Sequence, residues 1–325
     1  MSRSRIRYLV LLGAFAVAIA AALALAAAGL PIVGREKHWS IGIYAGPSPF
    51  ELTPASAVNN PVMSAADVTD VPARFVADPF MIRREATWYM FFEVLNQKSG
   101  LGEIAMAVGA DALHWSYGGV VIQEPFHLSY PYVFAAGDDF YLVPESGAAQ
   151  EVRLYRATQF PRRWELAGSL LTGAPYVDAS LVQYGGYWWI FVQSQPLLND
   201  TLRLYFAEDL HGPWSEHRLS PIVHDDPHRS RPGGRVFLSE ARLYRLAQDD
   251  APHYGARVWA FEITELSPSR YAERPLASRP VIGPAQRGWN ADGMHHVDPH
   301  QLGADSWIAC VDGYRNGWRI GPWFW

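Results

Sequence analysis

The chain has 325 residues, 49% of them hydrophobic and 14% aromatic, with a net charge of −5 and a pI near 6.1. That acidic balance, with no basic stripe, gives no electrostatic case for a nucleic-acid partner. The single cysteine, Cys310, excludes an internal disulfide framework and any multi-cysteine metal site.

The chain opens with a basic segment, residues 1–7, carrying Arg3, Arg5 and Arg7, followed by an uncharged apolar run from Tyr8 to about Leu30. The run is long enough to cross a bilayer and longer than the apolar stretch usual in a cleaved signal peptide. It therefore reads as one N-terminal transmembrane helix, a signal-anchor over 8–30, with Ala26-Ala27-Ala28-Gly29 as a competing cleavage site. Basic residues ahead of the run favour a cytoplasmic N-terminus and an extracytoplasmic globular part, although Arg35 and Lys37 in the linker 31–38 dilute the asymmetry.

From Phe75 to Glu93, FVADPFMIRREATWYMFFE reads as a strand, a charged turn and a second strand. Alternation puts Tyr89, Phe91 and Glu93 on one face and Trp88, Met90 and Phe92 on the other. The same unit recurs at Ser129–Glu145, Tyr176–Gln193 and His295–Gly313, with a weaker copy at Arg231–Gln248. A period of roughly 50 residues is the mark of a repeat architecture. The blades are read as starting at Phe75, Tyr130, Tyr176, Arg231 and His295, with Gly137-Asp138-Asp139, Gly185-Gly186 and Gly303-Ala304-Asp305 as hairpin turns. The last unit has two good strands and little chain beyond them, a short C-terminal tail over 315–325. Trp39–Met63 resembles the third and fourth strands of the other units. The reading is an all-β, five-bladed β-propeller over 39–314, closed into a ring by the N-terminal strands, which protects the sheet edges.

In a propeller the starts of the innermost strands meet at one mouth. Asp78, Tyr130, Asp178, Arg231, His296 and Asp298 are therefore expected to converge, with Glu93 and Glu145 joining from the ends of second strands. Several carboxyl groups facing one pocket with an arginine perturb one another's pKa values, as catalytic carboxylates require. Two such groups suffice for glycoside hydrolysis, one protonating the leaving oxygen and the other activating water or attacking the sugar. The plain alternatives are strand-opening aspartates that accept backbone N–H bonds, and Glu93 or Glu145 paired with channel arginines. Arg231 and Arg235 fit either such pairs or an anionic part of a ligand. His296, Asp298 and His300 alternate along a strand with metal-ligand spacing, but no fourth ligand is evident and no protein-held metal or other cofactor is expected. Asn199-Asp200-Thr201 is a glycosylation sequon of low specificity. Most of the aromatic residues are read as sheet formers rather than sugar platforms.

The segments ADPFMI, WYMFFEVLN, EPFHLSYPYVF, RPGGR, AQDDAPHYG and MHHVDPH resemble the N-terminal domain of glucosamine inositolphosphorylceramide transferases, over about Trp39–Tyr314. In the plant members that domain lies between a membrane anchor and a separate glycosyltransferase domain. More distantly the pattern is similar to the five-bladed propellers of glycoside hydrolase family 43. That likeness implies Asp78 as general base, Asp178 as the group that tunes and orients it, and His296 as a holder of a channel ion or water. The general-acid Glu expected at the opening of the fourth blade is not matched, because Ser230-Arg231-Pro232-Gly233 stands there. Glu145 is then the candidate acid, with Glu93 and His296 behind it. The expected function is a membrane-anchored, carbohydrate-active propeller that acts on or binds a glycan or glycolipid headgroup. Glu93, Tyr130, Arg231, Arg235, His296 and Asp298 are the expected substrate-binding residues. The alternatives are a non-catalytic lectin-like module and a scaffold for a separate glycosyltransferase partner.

Overall fold

A computed structural model describes residues 32–276 and 279–321, with positions 13, 17 and 20. These residues form five four-stranded antiparallel sheets. The first blade runs β3 (Ala73–Arg84), β4 (Thr87–Asn96), β5 (Gly102–Gly109) and β6 (Ser116–Ile122). The second comprises β7 (Ser129–Ala136), β8 (Asp139–Glu145), β9 (Glu151–Gln159) and β10 (Arg163–Thr172). The third comprises β11 (Val177–Tyr184), β12 (Tyr187–Gln193), β13 (Leu202–Ala207) and β14 (Ser215–Glu216). The fourth holds β15 (Phe237–Ser239), β16 (Arg242–Asp249), β17 (Arg257–Ser267) and β18 (Arg270–Pro275).

The fifth blade closes the ring as expected, in the order β19 (Val297–Gly303), β20 (Ser306–Gly321), β1 (Ile32–Gly46) and β2 (Thr53–Pro54). The segment Asn60–Met63 joins this sheet through a bridge between Ile41 and Met63. Leu202 to Val223 and Val258 to Ile282 make the same kind of bridge in the third and fourth blades. β20 continues as strand to Gly321, past the point at which the tail was expected to begin. Residues His38–Arg315 form one compact unit. The described residues of a second unit, 32–37 and 316–321, include Arg35, whose guanidinium lies over the Trp318 ring.

The expected transmembrane helix over Tyr8–Leu30 lies outside the continuously described residues. Among the described residues no helix is long and apolar enough to cross a membrane.

Apolar residues on both faces of a strand make sense when each blade is sandwiched between two others. In β4, Trp88, Met90 and Phe92 pack into a cluster shared with Ile41, Ile43 and Ile308 of the fifth blade. Phe91 turns the other way, into a cluster with Val133, Leu142 and Leu154 of the second blade. Further clusters fill the gaps between the third and fourth blades and between the fourth and fifth. Each fully buried Phe or Leu contributes about 1.5–3 kcal/mol, so the core of this protein lies between its blades. At the β11–β12 hairpin both Gly185 and Gly186 have positive φ, 61° and 84°, as a tight two-residue turn demands.

Candidate functional site

Three blades open with the same backbone irregularity. The register slips between Ala77 and Phe80, between Ser129 and Tyr132, and between Val177 and Ser180. At each slip one residue adopts a left-handed conformation: Asp78 (φ 52°), Tyr130 (φ 44°) and Asp178 (φ 53°). Bulges re-aim side chains, and non-glycine residues with positive φ are uncommon and concentrate at functional sites. The backbone thus takes these three side chains out of the ordinary strand alternation where the inner strands begin.

Asp78 joins the first, second and fifth blades. Its carboxylate accepts the Tyr130 N–H (3.3 Å), and its own N–H donates to Asp312 Oδ2 (3.0 Å). Asp312 Oδ1 accepts the backbone N–H groups of His295 (3.2 Å) and His296 (3.0 Å) and the Nδ1–H of His295 (2.8 Å). The other ring nitrogen of His295, Nε2, lies 3.7 Å from Asp78 Oδ1. Trp39 stacks on the imidazole at 4.1 Å, and Tyr254 meets it edge-on at 5.2 Å. Burial works against charging His295, but Asp312 and Asp78 outweigh it and push the imidazole up to about 9. Burial raises the Asp78 carboxyl well above its usual range; His295 opposes this, and Asp312, Asp178 and Glu93 add to it. Burial also works to raise Asp312, yet His295 pulls it below the ordinary carboxylate value.

The opposite wall is built on Arg231. Its Nε donates to Asp178 Oδ2 (2.5 Å) and its Nη1 to Asn199 Oδ1 (3.1 Å), while the guanidinium lies over the Tyr254 ring at 5.0 Å. Gln248 Nε2 donates to the same Asp178 oxygen at 2.8 Å. Glu145 accepts the Ser129 hydroxyl (3.0 Å) and stands 3.7 Å from Arg231 Nη2. Burial and the nearby Asp178 charge push the Glu145 carboxyl up to about 7, against Arg231 and His127. Next to it, His127 Nε2 lies 3.2 Å from Glu93 Oε1, and His127 Nδ1 accepts the Gly102 N–H (2.9 Å). Burial disfavours charging His127, but Glu93 carries it up to about 9.

Asp78, Asp178, Glu93, Glu145 and Arg231 are thus brought together. Arg235, Asp298, His296 and Tyr130 are placed inside the hub. Arg235 donates to Asp298 Oδ1 (2.8 Å) and to the Val133 and Met81 carbonyls (3.1 and 3.2 Å). Asp298 also accepts from Met81 N–H (2.7 Å) and His300 Nε2 (2.8 Å). Burial would raise its carboxyl, but Arg235 and His300 hold it far below the usual range. The spaced trio His296, Asp298 and His300 separates accordingly, with only the last two in contact. His296 is fully buried edge-on against Phe80 (4.5 Å) and Tyr130 (5.2 Å), and among the described residues neither ring nitrogen has a hydrogen-bond partner. Burial pulls it down to about 4, which keeps it neutral. The Tyr130 hydroxyl bonds Ser180 and both the N–H and the carbonyl of Gly234, tying three blades together. Asn199, the sequon residue, is engaged by Arg231 and Ser230.

His295, Asp312, His127 and Tyr254 were not foreseen. A signal for Asp312 was available: in one unit after another a polar residue of the second strand stands opposite the opening of the first, as Glu93, Glu145, Gln193 and Asp312. The ligand atoms of Asp78, His295 and Asp312 lie within 4.8 Å of one another, a spacing that could take a cation. Both Asp312 oxygens already accept N–H groups, so the donor set fits a proton network better than a dedicated metal centre.

Residues 33–314 match the family described as glucosamine inositolphosphorylceramide transferase 1, N-terminal. The chain belongs to this family. Glucosamine inositolphosphorylceramide transferase 1 of Oryza sativa subsp. japonica is 38% identical over 303 residues, covering 86% of this chain and 40% of that protein. Its namesake in Arabidopsis thaliana is 33% identical over 301 residues, covering 86% and 39%. The chain therefore spans about 40% of the length of these relatives. Among solved structures, the β-1,2-mannobiose phosphorylase of Listeria innocua superposes with a TM-score of 0.59 at 14% identity, over 84% of this chain and 96% of that one. A glycosyl hydrolase from Bacteroides ovatus gives 0.56 at 9% identity, over 78% and 91%. At such identities the likeness is one of fold. This member of the transferase N-terminal family is a five-bladed propeller whose hub gathers ionisable residues from separate blades.

Proposed function

We propose that the mouth of the hub is a carbohydrate site, on a propeller held outside the cytoplasm by the N-terminal segment, and that it processes a glycan or glycolipid headgroup. The observation carrying this reading is that Asp178 and Glu145, from the third and second blades, both face Arg231 (2.5 and 3.7 Å), while Asp78 of the first blade faces His295 (3.7 Å) and the Asp178 charge raises both the Asp78 and the Glu145 carboxyl. Glu145, half-protonated near neutrality, is suited to donate a proton to a leaving glycosidic oxygen. His295 Nε2 faces Asp78 at 3.7 Å, and an ionised Asp78 carboxylate can accept a proton from an attacking water or sugar hydroxyl. Asp178 fixes Arg231, and Arg231 in turn sets the electrostatic environment of Glu145. A glycosyltransferase is the partner we propose, because the curated relatives are named as transferases.

A second reading, a lectin-like pocket without turnover, is favoured by one observation. The fourth-blade position at which the glycosidase likeness calls for an acid holds Arg231, already engaged by Asp178. A glycan panel separates the two, screened for binding and turnover with the full-length protein and with Asp78→Asn and Glu145→Gln. An enzyme loses turnover in both variants while keeping affinity. Binding without turnover in the parent protein supports the lectin, and neither activity on any glycan contradicts the site.

A further inference from the structure

We propose that Gln248 and Asp250, at the end of β16, form a subsite for the hydroxyl-bearing face of a neutral sugar, with Asp250 Oδ2 accepting a hydroxyl proton. This rests on the carbohydrate reading above and names the part of the substrate that meets the fourth blade.

The segment AQDDAPHYG, residues Ala247–Gly255, ends β16 and turns toward β17. Successive side chains of a strand point to opposite sides. Gln248 is fully buried and faces the site. Its N–H donates to the Arg231 carbonyl (2.8 Å), and its Nε2 donates to Asp178 Oδ2 (2.8 Å) and the Pro232 carbonyl (2.7 Å). Asp249 turns the other way, to His228 Nδ1 (2.9 Å) and Trp259 Nε1 (3.0 Å). Asp250 follows on the Gln248 side.

The turn is fixed against both walls of the site. Asp250 Oδ1 accepts the Gly255 N–H (2.9 Å), and the Asp250 N–H donates to the Pro227 carbonyl (3.0 Å). Within the turn, the Tyr254 ring lies 5.0 Å from the Arg231 guanidinium and 5.2 Å from the His295 ring. A β-carbon on Gly255 would stand 2.8 Å from the Trp39 ring and 3.6 Å from the His295 β-carbon. Burial raises the Asp250 carboxyl, and Arg231 and His295 work against it.

Two oxygens on this side lack a donor. Gln248 Oε1 and Asp250 Oδ2 are both enclosed, and among the described residues neither has a hydrogen-bond partner. Turning the Gln248 amide round would not help, because both neighbours of Nε2 are themselves acceptors. Buried acceptors without donors are costly, so a ligand that brings O–H groups is favoured here. An anionic substituent is not. It would meet Asp178, Glu145 and Asp250, while the Arg231 guanidinium is already turned to Asp178, Asn199 and Glu145.

The test titrates the full-length protein calorimetrically with the panel glycans that bind it, each compared with forms lacking one hydroxyl. Removing the hydroxyl that meets Asp250 should weaken binding about 10–100-fold, the worth of a hydrogen bond to a charged group. Asp250→Ala should weaken the intact glycan by a similar factor and that deoxy form no further. Asp250→Asn keeps an acceptor for the Gly255 N–H, so it should melt with the parent yet bind the intact glycan more weakly, which a structural role alone would not produce. Losses from Asp250→Ala that are equal for the intact glycan and every deoxy form overturn the subsite and leave the carbohydrate site standing. So does a uronic acid bound as tightly as its neutral sugar. Failure of the parent protein to bind any glycan overturns both.

Discussion

Asp312 Oδ1 and His295 Nδ1 meet at 2.8 Å, and the far nitrogen of the same imidazole faces Asp78 at 3.7 Å. A histidine held between two buried carboxyl groups makes stability depend on pH. The imidazole titrates at about 9 in the folded chain against about 6.5 unfolded. Its contribution, on the order of 3 kcal/mol, is fully present below pH 6.5 and is lost as the pH rises through 9. Asp78 and Glu145 have raised carboxyls and act in the same direction as they ionise, while Arg231 and Tyr254 also face the group. Asp312, held low, adds stability that disappears only in acid. Thermal melting from pH 6 to 10 should show a falling midpoint in the parent protein and a flatter profile in His295→Gln.

Arg231 and Asp178 form a buried pair across two blades. Removing one partner of such a pair leaves an uncompensated charge and costs about 3–5 kcal/mol. Arg231→Met should therefore lower the melting temperature by about 10 °C. Adding Asp178→Asn should restore part of the loss. A double mutant as unstable as the sum of its singles would deny the coupling.

The Tyr130 hydroxyl satisfies the buried N–H of Gly234. Tyr130→Phe strands that donor and should cost about 1–3 kcal/mol in a denaturation midpoint. Gly234 itself has φ of 144°, and a β-carbon there would sit 1.9 Å from the Val297 carbonyl oxygen. Gly234→Ala should yield little folded protein, read as loss of the cooperative melt.

Much of the wheel was legible because strand alternation reports burial directly: Trp88, Met90 and Phe92 face one neighbour blade and Phe91 the other. Ring closure could be read from the likeness of Trp39–Met63 to other blades. The site was less legible. Asp78, Tyr130 and Asp178 sit on bulges, where alternation no longer says which way a side chain points. All three opened a first strand, yet two aspartates line the mouth while Tyr130 bonds inward to Gly234. Arg235 and Arg231 looked equivalent, but Arg235 is spent on Asp298 within the hub. His295 stayed hidden because its role depends on Asp312 across the β19–β20 pair and on Trp39 from the far end of the chain.

Glu145 as acid makes turnover depend on a carboxyl near 7. On any glycan that is turned over, kcat/KM should fall about tenfold per pH unit above that value. Glu145→Gln should remove this limb and cost about 10²–10⁴-fold in rate.

The most direct measurement is a crystal structure of the protein with a bound glycan from the panel. A sugar ring within hydrogen-bonding distance of Asp78 and Glu145, beside Arg231, is the expected result. A glycan bound at an outer blade edge, with the hub mouth unchanged, would contradict a carbohydrate site built at the centre of the wheel.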